Sequence, residues 1–92
     1  MKMFAMKVIK CRQEDIILVL KKIDEKHVSV EVFCPNEIGN TTSFYKDGAY
    51  YHCQADFDDI HSAAKHYINY HNILDDDVAL REFIMDFLEK YF

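Results

Sequence analysis

An α+β domain is expected from this chain, with an antiparallel β-sheet of four to five strands over residues 4–54 and two C-terminal helices packed on one face. Three features carry that expectation. Short β-prone runs separated by turn residues fill the first half of the sequence. A helical i, i+3, i+4 apolar repeat fills the end of it. Strands that precede helices, rather than alternating with them, place the helices as a layer on one side of an antiparallel sheet. A chain of 92 residues has room for one core, so residues 1–92 are read as a single domain.

The elements follow in order. Phe4 to Cys11 reads as a first strand, with Met6, Val8 and Lys10 on one face and Lys7 and Ile9 on the other. Arg12 to Glu14 turn the chain. Residues 15–23 fit a buried strand or a helical turn; their β-branched first half and the short break at Asp24-Glu25-Lys26 favour a strand entering a hairpin. His27 to Cys34 alternates, with Val28, Val30 and Val32 inward, and Pro35 ends it. Asn36 to Asn40 is a loop. In Phe44 to Tyr51, Asp47-Gly48 between two aromatic runs predicts a two-residue hairpin turn, which would pair Tyr45 with Tyr50 and Phe44 with Tyr51. Asp56 caps a helix over 56–72 whose apolar positions are Ile60, Ala63, Ala64, Tyr67, Ile68 and His71. Asp58 and Asp59 favour its dipole. After a connection at 72–75, Asp75 or Asp76 caps a second helix over 76–91. There Leu80, Phe83, Ile84, Phe87, Leu88 and Tyr91 form the strongest periodic stripe in the chain.

Composition narrows the function. The longest apolar run, Ile16 to Leu20, is far shorter than the roughly 20 residues of a membrane span. Lys7 interrupts what would have to be the apolar core of a secretory signal. Cys11, Cys34 and Cys53 are odd in number and widely spaced among apolar or aromatic neighbours, which predicts reduced, mostly buried thiols and a cytoplasmic protein. The net charge of −5 is uneven. Residues 1–54 hold eight Lys/Arg against seven Asp/Glu, and residues 55–92 hold three against nine, so the halves carry +1 and −6. That balance argues against direct nucleic-acid binding and for attraction to a basic partner surface.

No catalytic or metal constellation is legible. His52, Cys53, His61, His66 and His71 lack metal-ligand spacing: steps of five residues rotate a helical side chain by about 140°, whereas paired ligands need i, i+3 or i, i+4. Gly39 and Gly48 are isolated, so there is no phosphate-cradling loop. Asp58-Asp59 and Asp75-Asp76-Asp77 sit at helix starts, where capping explains them without catalysis. The chain is therefore read as a non-enzymatic protein with no cofactor and no metal.

The acidic array remains. On a helical wheel Glu82, Asp86 and Glu89 lie within about 60° of one another, opposite the apolar stripe. Asp75 falls on the same line, which would then run about 21 Å. Carboxylates at 82, 86 and 89 would stand about 5–6 Å apart, comparable to successive phosphates of one nucleic-acid strand. If the helices pack antiparallel, Asp56, Asp58 and Asp59 approach the Glu89 end and extend the array, with Asp76 and Asp77 at its other end. Such residues also serve simply to solvate a helix, and Lys65, Arg81 and Lys90 interrupt the negative field.

In length, acidic helical end and Lys/Ile/Asn/Asp-rich character the whole chain resembles the small early anti-restriction proteins of T-even-type phages, the Arn-type DNA mimics. The resemblance rests on no single motif and carries over no residue. It implies inhibition of a DNA-binding host defence protein, such as a restriction enzyme or a nucleoid protein, in the host cytoplasm. A small acidic adaptor or toxin-neutralising immunity protein fits the same composition. Finally, seven Phe and six Tyr exceed what one helical layer on one sheet face can cover, so an aromatic surface, and with it a two-fold homodimer, is expected.

Overall fold

The structure, a computed structural model, describes residues 3–11, 15–35, 44–51, 55–71 and 74–92, with the backbone alone at 34, 35, 44–51, 70 and 71. Six elements run in the order β1 (Phe4–Ile9), β2 (Ile16–Lys22), β3 (Val28–Pro35), β4 (Phe44–Tyr51), α1 (Phe57–His71) and α2 (Asp77–Tyr91). The fold is α+β. The strands form one antiparallel meander in the order β1-β2-β3-β4, and the helices close the chain.

The apolar segment at 16–22 is a strand in the middle of the sheet, bonded to β1 on one side and β3 on the other. Its β-branched residues suit a pleated, half-buried position between two partner strands. The β2–β3 reversal is closed locally: the Ile23 amide donates to the His27 carbonyl at 3.0 Å, and the Asp24 carboxylate accepts from the Lys26 amide at 2.8 Å. His27 Nδ1 lies 2.7 Å from the same carboxylate. The Lys26 amide, then the His27 ring, hold the Asp24 carboxyl below its ordinary value.

One local expectation is overturned. Asp47-Gly48 is not a turn: residues 44–51 form one uninterrupted strand, with Asp47 opposite Val32 and Gly48 opposite Glu31. The pairings Tyr45–Tyr50 and Phe44–Tyr51 are therefore absent, since these residues oppose Cys34, Ser29, Pro35 and Val28 of β3 instead. A hairpin here would have made a fifth strand, and among the described residues there is none. The physical reason is competition. A hairpin turn satisfies a few backbone groups, whereas a strand spanning eight positions against β3 satisfies many more. The loop expected at Asn36–Asn40 lies outside the described residues.

One sheet face carries the core. Ile9, Ile16, Leu18, Leu20, Val28, Val30 and Val32 pack with Ile60, Ala63, Ala64 and Ile68 of α1 and with Leu80, Ile84 and Phe87 of α2. Small residues at 63 and 64 let α1 approach closely, and α1 lies over β3 and β4 while α2 lies along β1. A bridge between Cys11 and Leu74 holds the start of α2 near the end of β1. At the other end of α2, the Lys22 ammonium donates to the Tyr91 carbonyl at 2.7 Å and sits 4.5 Å from the Phe92 ring. Cys11 is buried. Cys53, and the side chain of Cys34, lie outside the described residues.

Candidate functional site

Helix α2 positions the main carboxylates. Its apolar stripe sinks Leu80, Ile84 and Phe87 into the core, and geometry then forces residues about 180° away into solvent. Glu82, Asp86 and Glu89 occupy that outer side, and all three are exposed. Asp76 is the N-cap: it has extended backbone and accepts from the Val78 amide at 2.9 Å. Of the two candidate caps, 75 and 76, the structure selects Asp76. Asp75 is exposed just before it.

Asp56 performs the same task for α1, accepting from the Asp59 amide at 2.9 Å. Asp58 is exposed and Asp59 half-buried. Desolvation, followed by the like charges of Asp56 and Asp58, pushes the Asp59 carboxyl above its ordinary value. Three carboxylates crowded at the start of one helix form a strongly negative spot.

Asp77 differs from the other carboxylates. Its carboxylate lies 2.9 Å from His61 Nε2 of α1 and accepts from Arg81 Nε at 2.6 Å. Phe57 stacks on the His61 ring at 5.4 Å, and the Arg81 guanidinium sits 5.7 Å from the Phe57 ring. Burial pushes the Asp77 carboxyl up, but the His61 and Arg81 hydrogen bonds outweigh it and hold the group below its ordinary value. The four side chains clamp the two helices together, so this carboxylate is engaged within the protein.

The clamp also corrects the expected course of the array. Phe57 meets Arg81 and His61 meets Asp77, so the helices run in opposite directions where they touch but meet through their N-terminal turns. Asp56, Asp58 and Asp59 therefore lie beside Arg81, about two helical turns short of Glu89, rather than at the Glu89 end. Two acidic patches result: one at the start of α1, broken by Arg81, and one along the outer side of α2. Lys7 of β1 borders the second, lining a shallow cavity of about 120 Å³ with Glu82 and Asp86.

Two apolar features of the surface lie apart from the acidic positions. Val78 and Met85 of α2 and its C-cap residue Phe92 are exposed. They recur every seventh residue, a spacing visible on the same wheel. The second is the sheet face turned away from the helices, where Phe4, Met6, Ile17, Val19 and Phe33 line a groove of about 400 Å³ with Lys21 and Glu31.

No protein-family model, curated protein or solved structure matches this chain. Among the described residues no group of His, Cys, Asp and Glu is placed to hold a metal ion, and no helix is long and apolar enough to cross a membrane.

Proposed function

We propose that the chain is a non-enzymatic, anti-restriction type of inhibitor that offers carboxylates in place of DNA phosphates to a basic DNA-binding protein, such as a host restriction enzyme or nucleoid protein. The observation that carries the reading is the exposed line of Glu82, Asp86 and Glu89 on α2. Successive members rise about 6 and 4.5 Å along a rigid helix that is anchored in the core over its whole length. A partner that binds duplex DNA presents Lys and Arg at phosphate spacing, and its affinity depends strongly on released counterions. Fixed carboxylates engage the same cations with little ordering cost, because the helix holds them in place before binding. The resemblance to Arn-type mimics points the same way.

A second reading, an adaptor or toxin-neutralising immunity protein, is favoured by one observation. Val78 and Met85 add exposed apolar area to the helix that carries the carboxylates, as an ordinary protein interface does. Competition separates the two. When the tagged chain captures a partner from host lysate, added duplex DNA releases that partner if the chain is a mimic. Retention of the partner under excess DNA would refute the mimic and support the second reading.

A further inference from the structure

The sheet face turned away from the helices holds a pocket with a buried charge in its floor. Cross-strand partners share a face, and the pairs Met6↔Val19 and Val19↔Glu31 set these three residues in one row across β1, β2 and β3. Val19 and Glu31, each 4% exposed, form the floor of the groove of about 400 Å³. Met6, 62% exposed, stands at its rim, and Phe4 and Phe33 add aromatic walls. Lys21 Nζ lies 3.1 Å from a Glu31 carboxylate oxygen. A buried pair of this kind contributes little to stability, because desolvation offsets the attraction. In an apolar pocket, by contrast, a placed polar group fixes the orientation of whatever binds.

We propose that this groove binds one uncharged, largely aromatic small molecule whose N–H or O–H donates to the Glu31 carboxylate. Size selects a small molecule, since ligand pockets run from about 300 to 1,000 Å³ and are mostly apolar with a few placed polar groups. Charge selects its class. The register sets Lys46 of β4 opposite Phe33, in the rows of this face. A cation in the groove would therefore join two lysines on one face, and an anion would lie against the buried Glu31 carboxylate. An uncharged molecule avoids both. A carboxylate only accepts, and its bond to an N–H or O–H is roughly twice as strong as a neutral one. Phe4 and Phe33 supply ring faces and edges for an aromatic body. The groove lies across the sheet from the helices, so it does not depend on what the α2 carboxylates bind.

Fluorescence titration with N-phenyl-1-naphthylamine, an uncharged aromatic amine with one N–H, tests the pocket. Its competitor is 1-phenoxynaphthalene, which has the same shape with an oxygen in place of the N–H. The wild-type chain is expected to bind the amine saturably, one molecule per chain, and the ether about tenfold more weakly. Glu31→Gln is expected to weaken the amine about tenfold while leaving the ether within about twofold. Met6→Lys, at the exposed rim, is expected to weaken both, and Met85→Lys on α2 neither. Far-UV circular dichroism confirms that each variant folds. The amine–ether comparison needs no variant, and Met6→Lys carries the test if Glu31→Gln does not fold. Four results overturn the proposal: no saturable binding, an ether that binds as tightly as the amine, folded variants at 6 and 31 that leave the amine unaffected, or a chain that self-associates and excludes the amine.

Discussion

Removing the Asp77 carboxylate tests how the two helices are joined. Asp77→Ala deletes the hydrogen bonds to His61 and Arg81 together with a negative charge at the α2 N-terminus. The His61 side chain is only 12% exposed, so losing its partner leaves a largely desolvated imidazole, at about 1–2 kcal/mol. The Arg81 side chain is 54% exposed, and its pair adds roughly 0.5 kcal/mol after screening. The lost dipole interaction adds about 0.3–0.5 kcal/mol. The total is about 2–3 kcal/mol. With a urea dependence near ~1.5 kcal/mol per molar, the unfolding midpoint should fall by about 1.5–2 M. Arg81→Ala should cost under ~1 kcal/mol. The pH dependence has a definite sign. Folding holds the Asp77 carboxyl below its ordinary value of 3.8, so its contribution is complete above about pH 5 and fades as pH falls through the lower folded value. The gap between wild type and Asp77→Ala should therefore narrow in acid. An Asp77→Ala midpoint within about 0.3 M of wild type, or an equal loss in Arg81→Ala, would refute the clamp.

Two further substitutions probe the core and the C-terminal latch. Leu20 is fully buried between the central strands and the helices, so Leu20→Ala should cost about 2–5 kcal/mol in the same urea assay; a loss under ~1 kcal/mol would contradict the packing. Lys22→Ala removes the ammonium that donates to the Tyr91 carbonyl and sits over Phe92, and should cost about 1 kcal/mol while speeding amide exchange in the last turn of α2. Unchanged exchange there would mean that the latch is not formed.

Much of this architecture is legible in residue order because local and tertiary preferences agree. Val28, Val30 and Val32 alternate inward as written, and the α2 stripe predicts the buried Leu80, Ile84 and Phe87. Residues 16–22, ambiguous by periodicity, become a central strand because β-branched side chains suit a pleated, half-buried surface between two partner strands. The Asp47-Gly48 segment fails for the opposite reason: a strong local turn signal yields to pairing with β3, a partner distant in sequence. On the surface, the exposure of Glu82, Asp86 and Glu89 follows from the wheel, since one helix fixes their relation. The engagement of Asp77 does not, because it depends on where His61 of another helix arrives. Which side of β1 stays exposed is hidden too, since β1 offers Met6 and Val8 on one side and Ile9 on the other, and only packing shows which side the helices take.

The most direct measurement is the affinity of a captured DNA-binding partner for the wild-type chain and for Glu82→Gln/Asp86→Asn/Glu89→Gln, read by calorimetry at two salt concentrations. Each carboxylate that stands in for a phosphate contributes about 0.5–1 kcal/mol, so the triple variant should bind about ten- to a hundredfold more weakly. Its binding should also depend less steeply on salt, since fewer ionic contacts remain. Affinity within twofold of wild type, with the same salt dependence, would contradict the phosphate-like role of the α2 carboxylates.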